Sequence, residues 1–89
     1  MSTPFLEISF QHGKPFAAYL RLPRADGTKV ARSREVQAGL VVDFAADGAA
    51  MGVEIINPAQ TRPEDVLAVL ADLAAPLVSL ADLAPLHAA

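Results

Sequence analysis

The chain contains no cysteine, which excludes a disulfide framework, a thiol nucleophile and every thiolate metal site. Histidine is nearly as scarce: His12 and His87 stand near opposite ends of the sequence, whereas a metal centre needs three or four convergent ligands. His12 therefore reads as an exposed turn residue and His87 as part of the C-terminal segment. No stretch approaches the ~20 consecutive apolar residues of a membrane helix. Met1–Phe10 also lacks a basic start followed by an apolar run, so the expectation is a soluble, cytoplasmic protein. Gly48-Ala49-Ala50-Met51-Gly52 lacks the lysine of a phosphate loop, and Ser9, Ser33 and Ser79 have no histidine in any foreseeable triad geometry. The expectation from these absences is a protein that is not an enzyme, with no catalytic residues, no metal and no cofactor.

What is present is apolar but small. Of the 89 residues 53 % are hydrophobic, and 18 of these are alanine, leaving a thin supply of large side chains for a single domain spanning 1–89. A domain of this size buries roughly 60 % of its unfolded surface. A surplus apolar face is then expected to be hidden against a second copy or a partner. Charge is segregated within a net −3. Lys14, Arg21, Arg24, Lys29, Arg32 and Arg34 face only Asp26 across residues 14–34, whereas residues 35–89 hold eight acids and Arg62 alone. The asymmetry has two readings: an internal match of a basic hairpin to an acidic remainder, or a basic face for an acidic partner.

The first half has the period of strands. Phe5–Phe10 alternates, Gln11-His12-Gly13-Lys14-Pro15 supplies a turn, and Phe16–Leu22 sets Phe16, Ala18, Leu20 and Leu22 on one side. After the loop 23–29, a strand over Val30–Val36 mixes Arg32 and Arg34 with two valines at the same parity, a conflict that a bulge or an edge position would resolve. Leu40–Ala45 and Ala50–Ile56 flank Asp47-Gly48, and a two-residue turn there pairs Leu40 with Ile55, Val42 with Val53 and Phe44 with Met51. Asp43, Gly52 and Glu54 then share the other face.

At Asn57-Pro58 the period changes to that of a helix. Thr61 and Glu64 have the spacing of a capping box, followed by the stripe Val66, Leu67, Val69, Leu70 and Leu73. Pro76 divides the leucines that follow, so two helices are expected, at 61–74 and 76–84, the second striped by Leu77, Leu80 and Leu83 and ended by Pro85. The expected fold class is α+β: a small antiparallel β-meander of four or five strands over 5–56, with one face covered by the helix after Thr61 and a second short helix after Pro76.

The runs Ala17-Ala18-Tyr19-Leu20-Arg21-Leu22, Val30-Ala31-Arg32-Ser33-Arg34-Glu35-Val36, Gly39-Leu40-Val41-Val42-Asp43-Phe44 with Asp47-Gly48, and Gly52-Val53-Glu54-Ile55-Ile56 resemble a family of small bacterial proteins, domain of unknown function twenty-two eighty-three. The resemblance spans about residues 5–57. It implies a β-meander followed by a helix and no activity, and some members look like partners of toxin-like proteins, which implies an interaction role. The family usually reads tyrosine-aspartate-proline ahead of the second strand, where this chain has Phe10-Gln11-His12-Gly13-Lys14-Pro15, and the loop 23–29 is longer than usual.

The leading functional expectation is a non-enzymatic protein-interaction module, a regulatory or antitoxin-like partner. It would form a homodimer or larger homo-oligomer through Leu77, Leu80 and Leu83, together with an unpaired sheet edge. The alternative is a nucleic-acid-binding protein whose basic face comprises Arg21, Arg24, Lys29, Arg32 and Arg34 beside Tyr19; a net acidic chain makes that partner less favoured. Asp43 and Glu54 are the one carboxylate pair that acid–base chemistry or a hard cation could use. The plainer reading is an acidic, solvated sheet face paired with Arg32 or Arg34.

Overall fold

The computed structural model describes residues 4–24, 27–75 and 78–87. Strand β1 (Phe5–Gln11) and strand β2 (Lys14–Arg21) form a hairpin. Both of its turn residues have positive φ, 54° at His12 and 77° at Gly13, and the backbone twist of such a turn matches that of the flanking strands. Strands β3 (Arg32–Gln37), β4 (Leu40–Phe44) and β5 (Ala50–Ile55) complete a sheet in the order β1-β2-β5-β4-β3, with every neighbouring pair antiparallel.

This order corrects the expected meander, in which β2 would lie beside β3. Instead β5 and β4 lie between β2 and β3, which takes the far edge. The reason lies in the side chains. Ala18 and Leu20 on β2, Leu40, Val42 and Phe44 on β4, and Met51, Val53 and Ile55 on β5 are all buried, and apolar strands belong at the centre of a sheet. In β3 only Val36 is even partly buried, and a strand carrying two arginines is suited to an edge. Val36 is left unpaired by a bulge and stays on the side of the arginines, so the mixed parity is accommodated by the edge position, where Arg32 and Arg34 are exposed.

In the β4–β5 hairpin, Leu40 pairs with Ile55 and Val42 with Val53 as the sequence implies, but the turn differs. The Gly48 N–H donates to the Ala45 carbonyl (2.9 Å) and the Ala45 N–H to that of Ala49 (2.9 Å), closing a three-residue loop that ends on Gly48 at φ 91°. That geometry needs a residue tolerating the left-handed region. The extra loop residue shifts the register by one, so Phe44 pairs with Ala50 rather than Met51, and a bulge at Met51 shifts it back. The Met51 carbonyl is held by the Leu22 N–H (3.1 Å) and the Arg24 guanidinium (3.0 Å). A third bulge, at Phe16, takes that residue out of the regular alternation with Ala18 and Leu20, and it is 59 % exposed.

Helix α1 spans Pro63–Asp72 and helix α2 spans Leu80–Leu83, the latter running into a 3-10 turn over Ala84–His87 that contains Pro85. Thr61 and Glu64 do not form the expected capping box. Pro63 occupies the first turn, so Arg62 is the capping residue, and the Thr61 hydroxyl donates instead to the Asn57 carbonyl at 2.7 Å. The box that does form pairs Ser79 with Asp82 at the start of α2. The second helix is thus shorter than 76–84, and Pro76 and Leu77 lie outside the described residues. One buried cluster joins Ala18, Leu20, Leu22, Leu40, Val42, Phe44, Val53 and Ile55 of the sheet to Val66, Val69 and Leu70 of α1 and to Leu83 and Leu86. Among the described residues no helix is long and apolar enough to cross a membrane.

Candidate functional site

In an antiparallel sheet, residues directly opposite each other point to the same face. The register therefore places Phe5, Arg21, Gly52, Asp43 and Ser33 in one row across the face away from the buried cluster, and Glu7, Tyr19, Glu54, Val41 and Glu35 in the next. Gly52 is the gap in this surface. A Cβ there would overlap the hydroxyl and ring of Tyr19, so the ring leans across the glycine from the neighbouring strand. A strand glycine often marks such a close approach. The Tyr19 hydroxyl donates to Asp43 Oδ2 (3.1 Å), and the Ser33 hydroxyl donates to Asp43 Oδ1 (2.6 Å). Both carboxylate oxygens are thereby engaged, tying β2, β4 and β3 together across β5.

The Tyr19 phenol is pushed up to about 12. Burial is the main cause, the charge of Asp43 and the hydrogen bond to it add to the shift, and Arg21 opposes it. At neutral pH the phenol is a donor, and Asp43 is a fixed acceptor. Beside them Arg21 pairs with Glu7 (3.2 Å) and stacks between Phe5 and Tyr19, with centroid distances of 5.6 and 5.8 Å. Glu54 is exposed on the same face.

The residues of the expected basic face separate. Arg21 lies on the open face and Arg24 is bound to the Met51 carbonyl. Lys29 is exposed in the loop before β3. Arg32 and Arg34 are opposite Phe44 and Val42, on the other face of the sheet, where their guanidinium groups stand 5.1 and 5.6 Å from the Phe44 ring centroid. The expected pairing of Asp43 or Glu54 with Arg32 or Arg34 is therefore corrected: strand parity puts the arginines on the opposite surface, and the partners of Asp43 are Tyr19 and Ser33. Among the proposed interface residues, Leu83 is fully buried in its own chain and Leu80 is 52 % exposed. Leu77 lies outside the described residues.

Two features escaped the sequence reading. The first is the Tyr19–Asp43–Ser33 network, signalled only by a glycine at an outward strand position. The second is that Phe5, Phe10 and Phe16, all on the β1–β2 hairpin, are 48–59 % exposed. Neither histidine joins a cluster: His12 occupies a turn, and His87 Nε2 contacts the Thr61 carbonyl at 2.6 Å. Among the described residues no group of three His, Asp or Glu side chains is placed to hold a metal ion.

Residues 17–57, which contain β2 through β5, match a known family, described as "Protein of unknown function (DUF2283)". It is the family the sequence runs resemble. The matched segment includes Tyr19, Ser33, Asp43 and Gly52 but excludes β1, α1 and α2. No curated protein and no solved structure is significantly similar to the chain.

Proposed function

We propose that the protein is a small, non-enzymatic protein-interaction module of the cytoplasm that self-associates, consistent with a regulatory or antitoxin-like role. In this reading the helical segments form the cover of one sheet face, and contact with other chains falls to the hairpin and the sheet edges. The observation that carries the reading is the exposure of Phe5, Phe10 and Phe16, three of the four phenylalanines, on one hairpin. Burying an aromatic side chain is worth roughly 1.5–3 kcal/mol, so a chain short of large apolar residues gains by covering them, Phe10 and Phe16 together at the turn end of the hairpin and Phe5 at its other end. The interface assigned to Leu77, Leu80 and Leu83 moves accordingly, because Leu83 is spent on the chain's own core and Leu80 remains as an accessory contact. A nucleic-acid groove binder draws no support from arginines divided between two faces.

Light scattering with size-exclusion chromatography tests the proposal. The intact chain is expected to run as a dimer or larger assembly, and F10S/F16S is expected to run as a monomer with an unchanged circular dichroism spectrum. A monomeric intact chain at hundreds of micromolar would overturn self-association.

A further inference from the structure

From the outer edge of β3 we infer a second binding surface, for an extended acidic segment of another protein that adds antiparallel to β3. The inference rests on the interaction reading but not on self-association. Strand β3 ends the sheet, so alternate N–H and C=O groups along it point away from β4 and are available to a further strand. The side chains define what that strand must carry. On the face shared with the buried cluster stand Arg32 and Arg34. The ion pairs among the described residues are Arg21–Glu7 and Arg62–Glu64, so both β3 guanidinium groups rest on Phe44 without a carboxylate among those residues. Beyond them lies a cleft of about 400 Å³ between β3 and α1, lined by Arg34, Val36, Val69 and Leu73. Asp72 also lines it, so an acidic occupant is disfavoured, and Val36, Val69 and Leu73 offer an apolar contact.

The opposite face asks for something different. Ser33 and Glu35 point there, Ser33 is bonded to Asp43, and Glu35 accepts from the Gly39 N–H at 3.1 Å, so acids on that side of an added strand meet like charge. The complementary strand therefore has a fixed parity. Acids at two-residue spacing stand opposite Arg34 and Arg32 with a neutral residue between them, and an apolar residue beyond, beside the bulge at Val36, reaches the cleft.

A second copy of this chain does not fit this edge. Two β3 strands paired antiparallel about a two-fold axis perpendicular to the sheet would bring residues of like face together, setting Arg34 against Arg34 or Arg32 of the partner or, in the register centred on residue 35, Glu35 against Glu35. Like charges directly opposite are destabilising. No segment of the sequence has an apolar residue followed by two acids at alternate positions within a strand, so the occupant is a different protein.

The test uses the full chain and a capped hexapeptide, Leu-Thr-Glu-Thr-Glu-Thr, followed by amide NMR titration. Saturable shifts at residues 32–37 are expected. Replacing both peptide glutamates by glutamine, or using R32Q/R34Q, is expected to weaken binding roughly tenfold, the scale of two partly exposed ion pairs. The isomeric peptide Leu-Glu-Thr-Glu-Thr-Thr cannot place its leucine and both acids together on the required side, and it should bind several-fold more weakly. The peptide variants leave the protein untouched, so loss of fold in R32Q/R34Q cannot account for the result. Absence of saturation at millimolar peptide, shifts centred elsewhere, equal affinity for the isomers, or a single-stranded oligonucleotide displacing the peptide from β3 at physiological salt would each overturn the inference. None of these outcomes bears on the mass measured by light scattering.

Discussion

The two faces of the sheet are built from alternate residues of the same strands and are held by different forces. On one, Leu20, Leu40, Val42, Val53 and Ile55 are almost wholly removed from water with Val66, Leu70, Leu83 and Leu86, so its stability scales with buried apolar area. On the other, Asp43 accepts from Tyr19 and Ser33, and Arg21 pairs with Glu7. Hydrogen bonds of this kind contribute only about 0.5–1.5 kcal/mol each, because water competes for both partners. The difference teaches where change is tolerated. The buried face responds to lost volume, whereas the open face responds to lost geometry and remains available for recognition.

The largest expected effect is on the buried face. Leu86→Ala empties a fully buried position contributed by a 3-10 turn far along the chain, and urea denaturation should show a loss of about 2–5 kcal/mol. A loss below 1 kcal/mol would mean that the C-terminal segment is not part of the core, and the contrast would fail.

Gly52→Ala comes next, at about 1–3 kcal/mol, because the new methyl group displaces the Tyr19 ring that lies over it. The same substitution in a Tyr19→Ala background should cost much less, and a double-mutant cycle reads the coupling. Additive effects would remove the ring from its assigned place. Tyr19→Phe keeps the ring and deletes only the donor to Asp43. It should cost about 0.5–1.5 kcal/mol in the same assay, sharpening the distinction between packing and hydrogen bonding on this face.

The smallest effect at neutral pH concerns the phenol proton. The folded state holds Tyr19 protonated up to about pH 12, against 10.0 for the free group. The unfolded chain therefore loses this proton first as pH rises. The stabilisation is complete below pH 10 and is lost as pH climbs through 12. Tyr19 is the chain's one tyrosine and there is no tryptophan, so tyrosinate absorbance follows it directly. The midpoint should lie near 12 when folded and near 10 in denaturant, and a folded midpoint near 10 would dissolve the network.

Much of this was legible from local pattern. Alternation placed Leu40, Val42, Val53 and Ile55 on one face, and the register of the β4–β5 hairpin followed from Asp47-Gly48, although the chain reaches it through a longer loop and a compensating bulge at Met51. The break at Asn57-Pro58 marked the end of the sheet. The candidate site was less legible. Arg32 and Arg34 sit near the acids in charge arithmetic, but strand parity sends them to the other face. Tyr19 reaches Asp43 only because Gly52 leaves room on a strand that separates them in space, not in sequence.

Period, turn chemistry and composition act within a few residues, so the sequence by itself determined an antiparallel arrangement of four or five strands, a helix after Thr61, and the shared face of Leu40, Val42, Val53 and Ile55. Strand order was decided by the tertiary structure, because β2 prefers the buried β5 to the arginine-bearing β3 and only the assembled sheet sets that competition. The same holds for Leu83. Its stripe reads equally as a core or an interface until the sheet offers a face, and burial against that face withdraws it from any partner.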